Sequence, residues 1–144
     1  MEILRSISQV ILLLAIAAAA AADIHTKHLP WLLPAGVFVS GVTYQLIAQT
    51  SGIWQLLGGC AVGGALVIIS LLSRQAMGLG DALMFIASGA FLGLYDNLFL
   101  LLISVSLSAI CSLILLIVLK AKGKYSFPFM PFMLLGYICL LLLV

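Results

Sequence analysis

Apolar residues fill this chain in long, nearly unbroken runs. The first is Ile7 to Ala22, ending at Asp23. The second extends from about Leu29 to Gln49, and the third from about Ile53 to Ser73. The fourth begins at the Gly78-Leu79-Gly80-Asp81 turn and ends near Tyr95. The fifth covers Leu98 to Leu119, and the sixth starts after Pro128 and reaches Val144. A helix needs about 20 mostly apolar residues to cross the hydrocarbon of a bilayer. Backbone groups in lipid must be satisfied within the protein, so runs of this kind predict helices. A barrel would show polar alternation, which these runs lack. The pattern predicts an all-α fold: a polytopic membrane bundle of about six transmembrane helices, forming a single integral-membrane domain over residues 1–144. Six spans take roughly 120 residues and leave only short loops.

Composition narrows the choice of function. Hydrophobic residues make up 65% of the chain and charged residues only 7%, against about 25% charged in an average soluble domain. A soluble fold of this size cannot hide so much apolar surface. A soluble enzyme, a disordered tail and a nucleic-acid binder are therefore excluded. The net charge of +2 is too small to argue for a polyanionic partner. Cys60, Cys111 and Cys139 lie inside apolar runs without a Cys-x-x-Cys pair, and read as small hydrophobes in packed helices. The first run also has the outline of a secretory signal. Glu2 beside Arg5 leaves its start only weakly basic, and the run can span if Ile3 and Leu4 join it, so it is read as a helix of the bundle.

The basic residues predict orientation. Lys27 lies between the first two runs, Arg74 between the third and fourth, and Lys120, Lys122 and Lys124 between the fifth and sixth. These loops share one side, and only Arg5 falls on the other. The positive-inside rule places the five-base side in the cytoplasm and both termini outside. Trp31 and Trp54 fit interface anchors. The spacings Gly59 to Gly63 and Gly89 to Gly93 predict close helix packing, and Ser88 an interhelical hydrogen bond.

Only four acids exist, so each can be weighed. Glu2 is terminal and solvated. Asp96 sits with Asn97 in a short outer turn between the fourth and fifth runs. Asp23 ends the first run and Asp81 begins the fourth, both on the five-base side. An acid at membrane depth is costly and is a functional candidate by default. Two carboxylates brought close cannot both ionise cheaply and come to share a proton. One can then take a proton from water while the other donates to a scissile carbonyl. The α-helix dipole favours negative charge at Asp81, which makes Asp81 the expected base and Asp23 its protonated partner. Gly78 and Gly80 bracket Leu79 just before Asp81 and permit positive φ and close backbone approach. His25 and His28 read as exposed loop residues, and no metal site or cofactor is expected. Pro30 and Pro34 suit the first turns of a helix, while Pro128 and Pro131 mark irregular backbone before the last run.

Several segments together carry a resemblance. Asp23-Ile-His-Thr-Lys-His-Leu29-Pro30 fits Asp-x-x-Thr-x-x-Leu-Pro. Met77-Gly-Leu-Gly-Asp81 fits Gly-x-Gly-Asp, with Ser88-Gly-Ala-Phe-Leu-Gly93 following. Phe127-Pro-Phe-Met-Pro-Phe-Met-Leu-Leu-Gly136 is similar to a Pro-Phe-x-Pro-Phe-x-x-x-Gly segment. In this order they resemble the type IV prepilin peptidases, membrane aspartic proteases of the Gly-x-Gly-Asp class, over about residues 7 to 140. The resemblance implies that Asp23 and Asp81 are the catalytic pair, with Leu29, Pro30, Gly78 and Gly80 framing the site. It implies prepilin or pseudopilin substrates, cleaved at the cytoplasmic face of the inner (plasma) membrane. It implies the short stand-alone form, without the methyltransferase domain of longer members. Ala82 and Leu83 follow Asp81 where many members have Lys two residues on, and Trp31 follows the Leu-Pro where many have an acid. Both departures bear on substrate class. A protease of the presenilin kind would place Tyr before the first aspartate, where this chain has Ala22. A proton-coupled small transporter or channel subunit using the same two aspartates is the alternative, and it predicts flux without cleavage.

Overall fold

The computed structural model describes residues 2–26, 30–48, 52–73, 78–118 and 128–143. Five helices account for nearly all of them: α1 (Glu2–Thr26), α2 (Leu32–Ala48), α3 (Ile53–Leu72), α4 (Leu79–Val118) and α5 (Met130–Leu143). The fold is the all-α membrane-type bundle that the apolar runs predict. Three helices, α1, α3 and α4, are long and apolar enough to cross a membrane. With 17 and 14 residues, α2 and α5 are shorter than the runs that predict them.

The fourth helix resolves an apparent conflict with the expected six runs. A straight helix of 40 residues would be about 60 Å long, twice the thickness of the hydrocarbon layer. Instead α4 breaks at Gly93, where φ is 77° and ψ is −170°. Its two arms, 79–92 and 94–118, fold back on each other. The Asn97 amide donates to the Phe85 carbonyl at 3.0 Å, and the Ser88 hydroxyl donates to Asn97 Oδ1 at 2.8 Å. In a straight helix residues twelve apart lie about 18 Å apart, so only a reversal permits these bonds. Asp96 and Asn97 therefore do not form an outer turn, as the sequence predicts. A glycine able to take positive φ turns the chain without any loop, and both residues belong to the first turns of the second arm.

The terminal helices each bury one stripe. On α1 it is Ser8, Leu12, Ile16, Ala19 and Ala20; on α5 it is Met130, Met133, Gly136, Tyr137 and Leu140. These three-and-four spacings are the mark of one helical face. The core they meet is built from Met84, Phe85 and Leu100 of α4. The outward faces are equally apolar: Leu14, Ile68, Leu72 and Leu142 are all exposed. Such a surface suits lipid, and in water it would drive association.

Glycines set how closely the rods approach. A Cβ on Gly59 would run into the Gly89 carbonyl oxygen, and one on Gly63 into the Ile86 backbone nitrogen. The expected glycine spacing thus seats α3 directly against the backbone of α4. Of the four glycines so paired in sequence, Gly93 has the different task of reversing the chain. The Cys60 thiol adds a contact to the Ile86 carbonyl at 3.8 Å. Ser88 makes its predicted hydrogen bond, to the side chain of Asn97.

Candidate active site

Asp81 occupies the first turn of α4, half-buried. The Gly78 carbonyl starts that turn by accepting the Asp81 and Ala82 amides at 3.1 and 3.3 Å. Gly78 leaves room for the carboxylate: a Cβ built on it would lie 3.0 Å from Asp81 Oδ2. Among the described residues Gly93 alone has positive φ, so neither Gly78 nor Gly80 uses the backbone freedom expected of it. Gly80 is an ordinary half-buried member of the first turn.

Asp23 lies on the last turns of α1, which continues to Thr26 and does not end at the aspartate. His25 is consequently helical, and exposed. Asp23 is half-buried and points toward the head of α5, where its Oδ2 accepts the Met130 amide at 3.3 Å. One residue earlier, the Phe129 ring lies 6.1 Å from the ring of Phe85, tilted by 49°. Phe85 is fully buried one turn after Asp81. The start of α5 therefore touches the surroundings of both aspartates, through its backbone on the Asp23 side and a ring on the Asp81 side.

Three helix ends meet at one end of the bundle: the tail of α1 and the heads of α4 and α5. Asp23 and Asp81 thus stand at the same end of the bundle, on two of the three elements that meet there. Asp81 stands at the positive end of its helix dipole and Asp23 at the negative end of its own. The Met130 amide, itself one of the free donors of a helix start, offsets that disadvantage. The dipole argument that separated the two carboxylates in sequence thus no longer separates them.

The other predicted site residues are more loosely placed. Pro30 is exposed ahead of α2, and its carbonyl accepts the Leu33 amide at 3.0 Å. Among the described residues it has no hydrogen bond to either aspartate. Leu29 lies outside the described residues, as do Lys27, His28, Arg74, Lys120, Lys122 and Lys124. Two residues of the region were not singled out in sequence. Met130 acts through its backbone, which no side-chain pattern announces. Asn97 did carry a signal, an amide inside an apolar run, but its assignment to a turn hid it.

A family model described as the type IV leader peptidase family matches residues 10–113. The matched stretch holds both aspartates, Gly78, Gly80 and the Gly93 reversal, and stops before α5. Comparison with curated proteins and with solved structures gives no match. The family match covers well over half of the 144 residues, and on that footing the chain belongs to the type IV leader peptidase family, a family of membrane peptidases.

Proposed function

We propose that this chain is an aspartic-type endopeptidase that removes the leader of type IV prepilins or prepilin-like proteins, with Asp23 and Asp81 as its acid/base pair. The supporting observation is the convergence of three helix ends, two of which carry these carboxylates at one end of the bundle. In the resting pair one carboxylate is ionised and the other holds the shared proton. The ionised member takes a proton from a water molecule as its oxygen attacks the scissile carbonyl. The protonated member donates to the carbonyl oxygen, so the tetrahedral intermediate forms neutral. Collapse breaks the C–N bond: the first carboxylate returns its proton to the leaving amine while the second takes one back from a hydroxyl of the intermediate, which leaves the new carboxyl group and restores the shared proton. No group beyond the two side chains and water is needed.

On this reading the reaction takes place at the cytoplasmic face of the inner membrane. The end of the bundle that holds the aspartates is also the end to which Lys27, Arg74 and Lys120–Lys124 connect, and loops rich in bases stay inside. The substrate enters as an extended segment preceding a hydrophobic helix, and the bilayer itself holds that helix in register.

The test is co-expression with candidate prepilins in a membrane host. Wild type is expected to produce the shorter, faster-migrating pilin. Asp23→Asn and Asp81→Asn each abolish the shift while inserting at normal levels, and Asp96→Asn retains it. Cleavage that survives either of the first two substitutions, or that Asp96→Asn abolishes equally, overturns the assignment.

A further inference from the structure

The end of the bundle away from Asp23 and Asp81 holds a cavity of about 370 Å³. Its walls carry Arg5, Gln9, Tyr44, Gln55, Asp96 and Tyr137. Every helix contributes, in a chain with only six bases and four acids. Polar and charged groups at membrane depth are expensive and are retained for a use. Gln9 and Arg5 precede Asp23 by about 21 and 27 Å along α1. Since hydrocarbon is about 30 Å thick, the cavity opens near the opposite headgroup level.

Arg5 and Asp96 face this one space, yet among the described residues neither side chain makes an ion pair or a hydrogen bond. The walls between them are braced. The Tyr137 hydroxyl donates to the Gln9 carbonyl at 3.3 Å, and the Tyr44 ring stacks on Phe91 with centroids 6.0 Å apart. A preformed cavity with one cation and one anion, each unpaired, matches a ligand that carries both signs. Such a ligand compensates both charges, the exposed Arg5 and the half-buried Asp96, at once.

We propose that this cavity binds a zwitterion bearing a phosphate and a primary amine. The phosphate meets Arg5, whose planar guanidinium suits two phosphate oxygens at once, and the ammonium meets Asp96. The same chemistry is carried by the headgroup of phosphatidylethanolamine and by free phosphoethanolamine. The apolar floor at Leu12 and Leu140 also accommodates the start of lipid chains. The proposal stands independently of the peptidase reading.

The test uses the full chain purified in detergent with an equimolar mixture of phosphatidylethanolamine, phosphatidylglycerol and phosphatidylcholine, read by native mass spectrometry. Phosphatidylethanolamine is expected to be retained preferentially. Arg5→Gln and Asp96→Asn each lose one charge-assisted contact and reduce that preference by about tenfold. Arg5→Lys, which keeps the charge without the fork, is intermediate, and Asp23→Asn leaves the preference unchanged. Displacement of the lipid by soluble phosphoethanolamine identifies the headgroup alone as sufficient; retention against it shows that the chains contribute. Equal retention of the three lipids overturns the proposal, as does a preference for phosphatidylglycerol that Asp96→Asn leaves intact. It also falls if each single variant melts lower without lipid and Arg5→Asp combined with Asp96→Arg restores the loss, because the two residues would then simply pair with each other.

Discussion

Asp23 and Asp81 reach the same place from helices of opposite direction, and the smallest residues near them decide how exactly they can be aimed. Gly78 shows this best. A methyl group there would lie 3.0 Å from Asp81 Oδ2 and 3.4 Å from its Cγ. The carboxylate is the free end of a side chain, so it would yield by a few tenths of an ångström and the helix would survive. Positioning errors of about 1 Å can cost a hundredfold in rate. Gly78→Ala is therefore expected to slow prepilin cleavage by about tenfold, with insertion unchanged. Gly64→Ala provides the control, since nothing lies within 4 Å of a Cβ at that position, and initial rates in isolated membranes should match wild type. The aspartates themselves were legible in the sequence because four acids in so apolar a chain leave few candidates. The support for Asp23 was not legible: it comes from the Met130 backbone, 107 residues away, and a main-chain amide leaves no trace in residue identity.

At the scale of elements, the reversal inside α4 carries the most weight. Hydrophobicity predicted the all-α bundle, but it could not show where the fourth run ends and the fifth begins, because both arms of α4 are apolar and no loop divides them. The deciding features are a glycine at φ 77° and a buried amide. Asn97 donates to the Gly59 carbonyl at 2.9 Å and to the Phe85 carbonyl at 3.0 Å while accepting from Ser88. It thus ties α3 to both arms of α4. Its loss removes three buried hydrogen bonds, although the Ser88 hydroxyl keeps the Phe85 carbonyl as an acceptor at 3.2 Å. Asn97→Ala is expected to lower stability by about 2 kcal/mol, measured by unfolding in mixed detergent micelles. Ser88→Ala removes one donor only and should cost less than about 1 kcal/mol. Because the two side chains share one bond, the double variant should fall short of the sum. Gly93→Ala tests the turn separately: a side chain at φ 77° and ψ −170° occupies a region essentially reserved for glycine and costs about 1–3 kcal/mol, and nothing closer than Gln55 Cβ at 3.5 Å crowds the site, so the cost is conformational.

For the molecule as a whole, the arrangement of ends is what joins chemistry to topology. Arg5 near the start of α1 and Leu141 near the end of α5 line the same cavity, so the two terminal helices begin and finish at one end of the bundle. Asp23, Asp81 and Met130 gather at the other. Exposed tryptophans stand at both levels, Trp31 ahead of α2 on the aspartate side and Trp54 in the first turn of α3 on the cavity side, as interfacial anchors do. Five of the six bases lie on segments joined to the aspartate end. If those segments are held in the cytoplasm by their charge, the termini must lie outside and the carboxylates must face in. A reporter fused after Val144 is expected to read extracytoplasmic, and one inserted between Lys120 and Lys124 cytoplasmic. Replacing Lys120, Lys122 and Lys124 with Gln while adding three Lys beside Arg5 should shift a measurable fraction of molecules to the opposite orientation, since charge bias near the spans sets direction. Inverted molecules keep the same helix packing and the same pair of aspartates, but present them to the wrong compartment. They should therefore insert stably and leave cytoplasmic prepilin uncut, with cleavage falling in proportion to the inverted fraction read by the reporter. Cleavage that stays constant as that fraction grows would mean that the aspartate end does not act from the cytoplasmic side.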